Sequence, residues 1–294
     1  PGASGSGDGQ PSPDGPASGP QAPRPAPRPA PAAPRAPATA AGSAAPPLIS
    51  LRDVSRRYGG ATEVAALEHA TLDIATGEFV VVLGASGSGK SVTLRHIVGL
   101  MCADAGRIVV DGKDVTHQSE REFLEVRRKV SYVFQGGALF DSMTVGENVA
   151  FGLREQGRLT RDEVQAKVSK SLALVGLEGT ESKLPSDLSG GMRKRVALAR
   201  SMALEPACLL YDEPTAGLDP VTGFKVTELI RDTARRSRVT SVVVTHDLPS
   251  AFYVADRLAF LHEGKMAFVG TPDEARRSAH PELHEFLNAY GESA

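Results

Sequence analysis

Residues 79–98 read FVVVLGASGSGKSVTLRHIV, and no other stretch limits the possible folds so tightly. FVVVL is an apolar run of strand length dominated by β-branched Val. Beyond the glycines, Val92, Leu94, Ile97 and Val98 return near helical spacing. Between the two lie Gly84, Ala85, Ser86, Gly87, Ser88, Gly89, Lys90 and Ser91, which match GxxxxGK[ST] in the strand, loop, helix context that this motif needs. Glycine lets the backbone curl until successive N–H groups point inward, and the helix N-terminus adds partial positive charge. Lys90 would then neutralise β and γ phosphates, and Ser91 would place its hydroxyl on Mg²⁺. A plain Ser/Gly-rich turn is the bland alternative, and the Lys-Ser ending argues against it.

A buried strand opening into a helix predicts an α/β sheet, and the remaining chain follows suit. CLLYD and SVVVT are short Leu- and Val-rich runs flanked by polar helices, the pattern of strands covered on both faces. Shorter apolar runs in LISLRDVSRRY and AALEHATLDI read as strands, and GRIVVDGKDV as a hairpin turning at Asp111-Gly112. Residues from about 142 to 190 read as a helical subdomain, with TRDEVQAKVSKSLALVGL its clearest amphipathic helix. Residues from about 271 to 294 read as a C-terminal helical extension. There Leu283, Phe286, Leu287 and Tyr290 form one apolar stripe that must bury against its own domain or, slightly favoured, a neighbouring subunit.

The first 47 residues stand apart: they hold 14 of the chain's 21 Pro and nothing apolar larger than Ala besides Pro. Such a segment cannot bury enough surface to offset ordering entropy, so residues 1–47 are expected to be a disordered tail and not a signal peptide, leaving 48–294 as the folding domain. Net charge is −2 with both signs interspersed, which disfavours nucleic acid as a partner. Cys102 and Cys208 lack partners at ligand spacing, so neither a disulfide framework nor a zinc site is expected, and a reducing cytosol fits. The apolar runs fall short of the roughly 20 residues that cross a bilayer, so membrane work would need another chain.

Chemistry-bearing residues cluster at the predicted strand ends. After CLLY come Asp212, suited to hold a metal, and Glu213, suited to polarise an attacking water. After SVVVT comes His246, placed to reach a γ-phosphate or that water. Gln135 follows another short apolar run, where an amide would reach Mg²⁺ or the water, and Tyr58 offers an aromatic face for adenine. A second glycine-rich stretch, LSGGMRKRVALAR, sets Ser189, Gly190 and Gly191 at the head of a helix, which is again an anion site. Its Arg193, Lys194 and Arg195 read as a solvated helix face.

In this order and spacing, Tyr58, GASGSGKS, Gln135, LSGGM, YDEP, GLDP and His246 resemble the ATP-binding cassette (ABC) ATPases over nearly all of residues 48 to about 270. The resemblance implies a P-loop α/β fold with a RecA-like mixed sheet core and a helical signature subdomain, binding ATP and Mg²⁺. By it Tyr58 is the adenine-stacking aromatic, residues 84–91 the Walker A loop, and Gln135 the Q-loop. Asp212 and Glu213 are Walker B, residues 217–220 with Asp219 the D-loop, and His246 the switch histidine. LSGGM is similar to the LSGGQ signature, which in the family binds the γ-phosphate held by the other subunit. The two cradles then serve two chains in a head-to-tail homodimer with two ATP between them. Met192 replaces the signature Gln and leaves the Ser and Gly anion site intact.

VFQGGALFDSMTVGENVAFGLRE and LPSDLSGGMRKRVALARSMALEP further resemble the ATPase of the Mla-type lipid transporters, which work with MCE-domain proteins. That resemblance implies a membrane permease, a STAS-domain subunit, an MCE-domain protein, and a peripheral place on the cytoplasmic face of the inner membrane. GLDP departs from the GQDP of some members. Two other readings stay open: a cassette regulating a membrane complex of the cell-division type, and an importer ATPase for a small solute. Soluble cassettes of translation or repair carry two cassettes or long coiled-coil insertions, and this sequence has neither. Ala138, Leu139, Phe140, Met143 and Val145 are either core or a groove for a permease helix.

Overall fold

The computed structural model describes residues 45–59 and 64–289. Most of the tail expected over residues 1–47 lies outside that range, as does Tyr290. The chain runs β1 (Ile49–Tyr58), β2 (Val64–Ile74), β3 (Phe79–Leu83), α1 (Lys90–Ile97), β4 (Ala105–Val110), β5 (Lys113–Asp114), α2 (Glu120–Lys129) and β6 (Val130–Val133). Then follow α3 (Val145–Glu155), α4 (Arg161–Leu174), a short turn of 3-10 helix (Pro185–Asp187), α5 (Gly190–Ala203), β7 (Cys208–Asp212), α6 (Pro220–Ser237) and β8 (Thr240–Thr245). The order closes with α7 (Leu248–Val254), β9 (Arg257–His262), β10 (Lys265–Gly270), α8 (Pro272–Arg276) and α9 (Pro281–Ala289).

Ten strands make two sheets among the described residues. An antiparallel sheet has the order β2-β1-β4-β5, and a larger one the order β10-β9-β3-β8-β7-β6. In the larger sheet β9, β3, β8, β7 and β6 are parallel, and only the edge strand β10 is antiparallel. Side chains of β3, β7 and β8 alternate between two cores, as a sheet covered on both faces requires. Val80, Val82, Leu210 and Val244 face the core shared with the antiparallel sheet, α1 and α2. Val81, Leu209, Tyr211 and Val243 face the core built from α3 to α7 and α9.

Register is what positions the site. Leu83 pairs with Thr245, and Asp212 with Val244, so β3, β7 and β8 end at one level. The residues that follow those ends meet along a single carboxyl edge, where α/β sheets bind ligands. The helices begin at capping residues: Thr144 with Glu147 for α3, Thr160 with Glu163 for α4, and Ser189 for α5.

Leu283, Phe286 and Leu287 of α9 are buried in the chain's own core, where the Phe286 ring lies 5.1 Å from that of Phe260. These three residues of the apolar stripe are thereby covered within the chain, against the slight preference for a neighbouring subunit. Residues 138–145 divide: Val145 is fully buried, whereas Phe140 is 41% exposed and rests on Phe151 at 4.8 Å.

Candidate active site

The loop between β3 and α1 is shaped by close approaches that only glycine tolerates. Gly89 has φ 106°, and a Cβ there would stand 2.1 Å from the Ala66 carbonyl oxygen. At Gly84 the corresponding contact is 2.3 Å, to the Leu261 carbonyl oxygen. Lys90, the first residue of α1, is buried and folds back on the loop, its Nζ donating to the carbonyls of Gly84 at 2.8 Å and Ala85 at 2.9 Å. It also stands 3.9 Å from Glu213 Oε1. Burial lowers its pKa, and the Glu213 and Asp212 carboxylates oppose that shift. An ammonium held by carbonyls at the bottom of a cradle is free to exchange them for phosphate oxygens. Ser88 Oγ, buried in the same loop without a hydrogen-bond partner, is a further polar atom that such an anion would satisfy.

Asp212 ends β7 and is gripped at both oxygens. Ser91 Oγ donates to Oδ1 at 2.6 Å, and the Tyr132 hydroxyl on β6 donates to Oδ2 at 2.7 Å. Burial and the Asp212 carboxylate together push the Tyr132 pKa far up, so the hydroxyl keeps its proton. The Ser91 and Asp212 oxygens fit a hard divalent cation such as Mg²⁺. The described residues hold no group of three or more His, Cys, Asp or Glu suited to a metal, and Mg²⁺ is commonly bound by one or two carboxylates together with substrate phosphates.

Glu213 is the next residue and adopts a left-handed backbone, φ 46°, which is costly without glycine and recurs at functional sites. Its N–H still bonds the Val244 carbonyl at 3.0 Å, so the turn leaves the sheet edge intact while redirecting the side chain. His246 Nδ1 lies 3.1 Å from both carboxylate oxygens, with hydrogen-bond geometry toward Oε1. Oε2 is buried without a donor, an acceptor that a water would satisfy. Lys90, Ser91, Asp212, Glu213 and His246 are therefore brought together as a connected set.

Other expected residues are not joined to it. The Gln135 side chain makes no hydrogen bond to Ser91, Asp212 or Glu213, and only its backbone is held. Tyr58 ends β1 with its ring partly exposed, its hydroxyl donating to Met101 Sδ at 2.7 Å and Arg56 5.1 Å from its centroid. Asp219 caps α6 by accepting from the Thr222 N–H at 3.0 Å. Ser189 caps α5, its Oγ accepting from the Met192 N–H at 3.3 Å, which leaves the hydroxyl proton free to donate. A Cβ on Gly191 would stand 2.7 Å from Thr222 Cγ2, so this helix start packs on the start of α6. Ser189, Gly190 and Gly191 make no hydrogen bond to the Lys90 cradle.

The basic run is solvated in part, with Arg193 exposed and Lys194 and Arg195 half-buried, and each side chain also reaches a backbone carbonyl. Arg193 Nη1 donates to the Leu188 carbonyl at 2.5 Å, Arg195 Nη1 to that of Val175 at 3.3 Å, and Lys194 Nζ to that of Gln135. Sequence reasoning also passed over Tyr132 and Asn148. Asn148 is fully buried, accepts from the Phe140 N–H at 2.8 Å and donates to the carbonyls of Phe140, Met143 and Thr144, which fixes the loop that displays Phe140. An Asn among apolar helix residues was the only available signal.

Strand β3, the glycine cradle and α1 define the class, a P-loop nucleotide-binding fold. A family model described as ABC transporter matches residues 67–216. The chain belongs to that family and is its ATPase cassette. It is 39% identical over 240 residues to the "Probable ribonucleotide transport ATP-binding protein mkl" of Mycobacterium leprae, covering 82% of this chain and 68% of that one. It is 40% identical to "Protein TRIGALACTOSYLDIACYLGLYCEROL 3, chloroplastic" of Arabidopsis thaliana, covering 81% and 73%. It is 44% identical to the "Sulfate/thiosulfate import ATP-binding protein CysA" of Thermosynechococcus vestitus, covering 77% and 65%. The chain thus spans about two thirds of these relatives' length. Among solved structures, the ATP-binding cassette MJ0796, a dimer bound to ADP and Pi, superposes with TM-score 0.71 at 33% identity, covering 76% of this chain and 98% of that one.

Proposed function

We propose that this chain is the ATP-hydrolysing subunit of an ABC transporter, working as a head-to-tail dimer that powers a separate membrane permease. The observation that carries the reading is the separation of two anion sites. Lys90, Ser91, Asp212, Glu213 and His246 form one connected set, while the head of α5 presents a second site with no hydrogen bond to the first. A second copy supplies the natural way to bring the two together. The likeness to a dimeric cassette supports that arrangement.

In this scheme Lys90 leaves the Gly84 and Ala85 carbonyls for β and γ phosphate oxygens, and Ser88 adds a donor. Tyr58 stacks on adenine. Ser91, Asp212 and Gln135 would hold Mg²⁺, which would neutralise charge on the phosphate oxygens. Glu213 takes the attacking water on its unpartnered oxygen, and His246 orients Glu213 from Nδ1. Ser189, Gly190 and Gly191 of the partner close over the γ-phosphate, with Asp219 at the dimer seam.

The cargo we infer is a phospholipid or related lipid. The GALF and LSGGM runs support it, as does a relative named for a diacylglycerol glycolipid. Import of a small anion is the second reading, favoured by the relatives named for sulfate/thiosulfate import. No helix among the described residues is long and apolar enough to cross a membrane. In this reading the permease is a separate chain, with the ATPase peripheral on the cytoplasmic face of the inner membrane. Purification of the tagged chain from membranes in detergent tests the proposal. The expected result is a co-purifying permease with an MCE-domain protein and a STAS-domain subunit, and ATP hydrolysis stimulated by phospholipid. A permease whose activity answers to sulfate and not to lipid overturns the lipid reading, and a cell-division complex overturns transport.

A further inference from the structure

The loop that follows β6 carries Gln135 and leads to the exposed Phe140. Three of its four backbone carbonyls from 135 to 138 are met by cations of one helix. Lys194 Nζ donates to the Gln135 carbonyl, Arg200 Nη2 to that of Gly137 at 2.8 Å, and Arg200 Nη1 to that of Ala138 at 2.7 Å. The loop is bent for this purpose. Gly137 has φ 79° and Ala138 φ 46°, two left-handed residues in succession, of which the second adopts that conformation without glycine's freedom. That conformation turns adjacent carbonyls toward a planar guanidinium, whose fork matches two acceptors where an ammonium matches one.

Neither cation takes part in a salt bridge among the described residues, and the loop carbonyls are the hydrogen-bond partners of both. Burial lowers the pKa of both, and for Lys194 the nearby Glu213 carboxylate opposes the shift. Half-buried cations held by one loop are committed to it, since releasing the loop would leave each desolvated and unpaired. Lys194 and Arg200 are six residues apart, about 9 Å along a rigid helix. Two anchors at that spacing fix the loop in rotation as well as position, whereas a single anchor would leave a pivot.

We propose that Lys194 and Arg200 are positioning residues that clamp the Gln135 loop to α5, so that this loop and the anion-binding head of the same helix move as one part. Whatever displaces the Phe140 end of the loop would then displace Ser189, Gly190 and Gly191. The clamp is a property of the folded chain; its effect on turnover rests on the ATPase reading.

Amide hydrogen exchange of the full nucleotide-free chain, read by mass spectrometry on peptides covering residues 134–140, tests the clamp. Lys194→Met and Arg200→Lys should each speed exchange there by about tenfold or more, the scale of a lost local anchor, while peptides of β3, β7 and β8 stay protected. Lys194→Arg, which keeps a donor to one carbonyl, should restore slow exchange. In the same proteins ATP affinity should hold while kcat falls. Unchanged loop exchange in folded Lys194→Met overturns the clamp; should Arg200→Lys fail to fold, Lys194→Met alone decides. Faster exchange with unaltered kcat overturns the coupling to turnover. A wild-type chain that hydrolyses no ATP would defeat the ATPase reading, and the exchange result would still judge the clamp.

Discussion

Glu213 combines three local facts: a left-handed backbone just after β7, a histidine hydrogen-bonded to Oε1 of its carboxylate, and an Oε2 that is buried without a hydrogen-bond donor. If that oxygen holds the attacking water, Glu213→Gln keeps the shape and loses the base. Turnover should fall by about 10² to 10⁴, roughly 3 to 5 kcal/mol of barrier, with ATP affinity preserved. Lys90→Ala should lose both, because it empties the bottom of the cradle. Equilibrium ATP binding beside phosphate release separates the two outcomes, and near-normal hydrolysis by Glu213→Gln would remove the residue from its role. These residues were legible because each sits in a short contiguous motif at a strand end. Tyr132, Lys194 and Arg200 were not, since their partners lie 80, 59 and 62 to 63 positions away and are backbone carbonyls or a carboxylate on another strand. No local pattern in the sequence encodes a lysine's choice of a distant carbonyl over water.

Elements were readable where periodicity is strong and less so where pairing is non-local. The strands FVVVL, CLLYD and SVVVT and the turn at Asp111-Gly112 all stand as the sequence indicated. The hairpin of β9 and β10, turning at Glu263 and Gly264 with φ 46° and 78°, went unread although its acid-glycine turn was visible. Which strands pair with β1 also depends on contacts that no window of sequence contains. For α9 the apolar stripe was plain, but its destination was not. Because Leu283, Phe286 and Leu287 lie in the chain's own core, Phe286→Ala should destabilise by about 3 kcal/mol, since it leaves a cavity beside Phe260. For a domain of this size that is a fall of roughly 6 to 12 °C in Tm by calorimetry. Loss of dimer content with an unchanged Tm would instead assign the helix to the neighbouring subunit.

At the scale of the whole molecule, the proposed dimer makes one demand: each ATP would need the Lys90 loop of one subunit and the head of α5 of the other. The head of α5 packs against the start of α6 and makes no hydrogen bond to its own Lys90 loop, so a substitution there should leave the chain's own nucleotide pocket intact. Ser189→Arg puts bulk and charge where the partner's nucleotide would close. Lys90→Ala breaks the other half. Mixed in the complex with the permease, the two dead variants regenerate one whole site per mixed dimer, at most about a quarter of the wild-type rate when half the dimers are mixed and sites act independently. The measurement that bears most directly on the claim is the phosphate-release rate of the Ser189→Arg homodimer at saturating ATP. The composite site predicts a rate at least about a hundredfold below wild type with ATP still bound, in line with losing a group that stabilises transferring charge; hydrolysis by Ser189→Arg at the wild-type rate would contradict it.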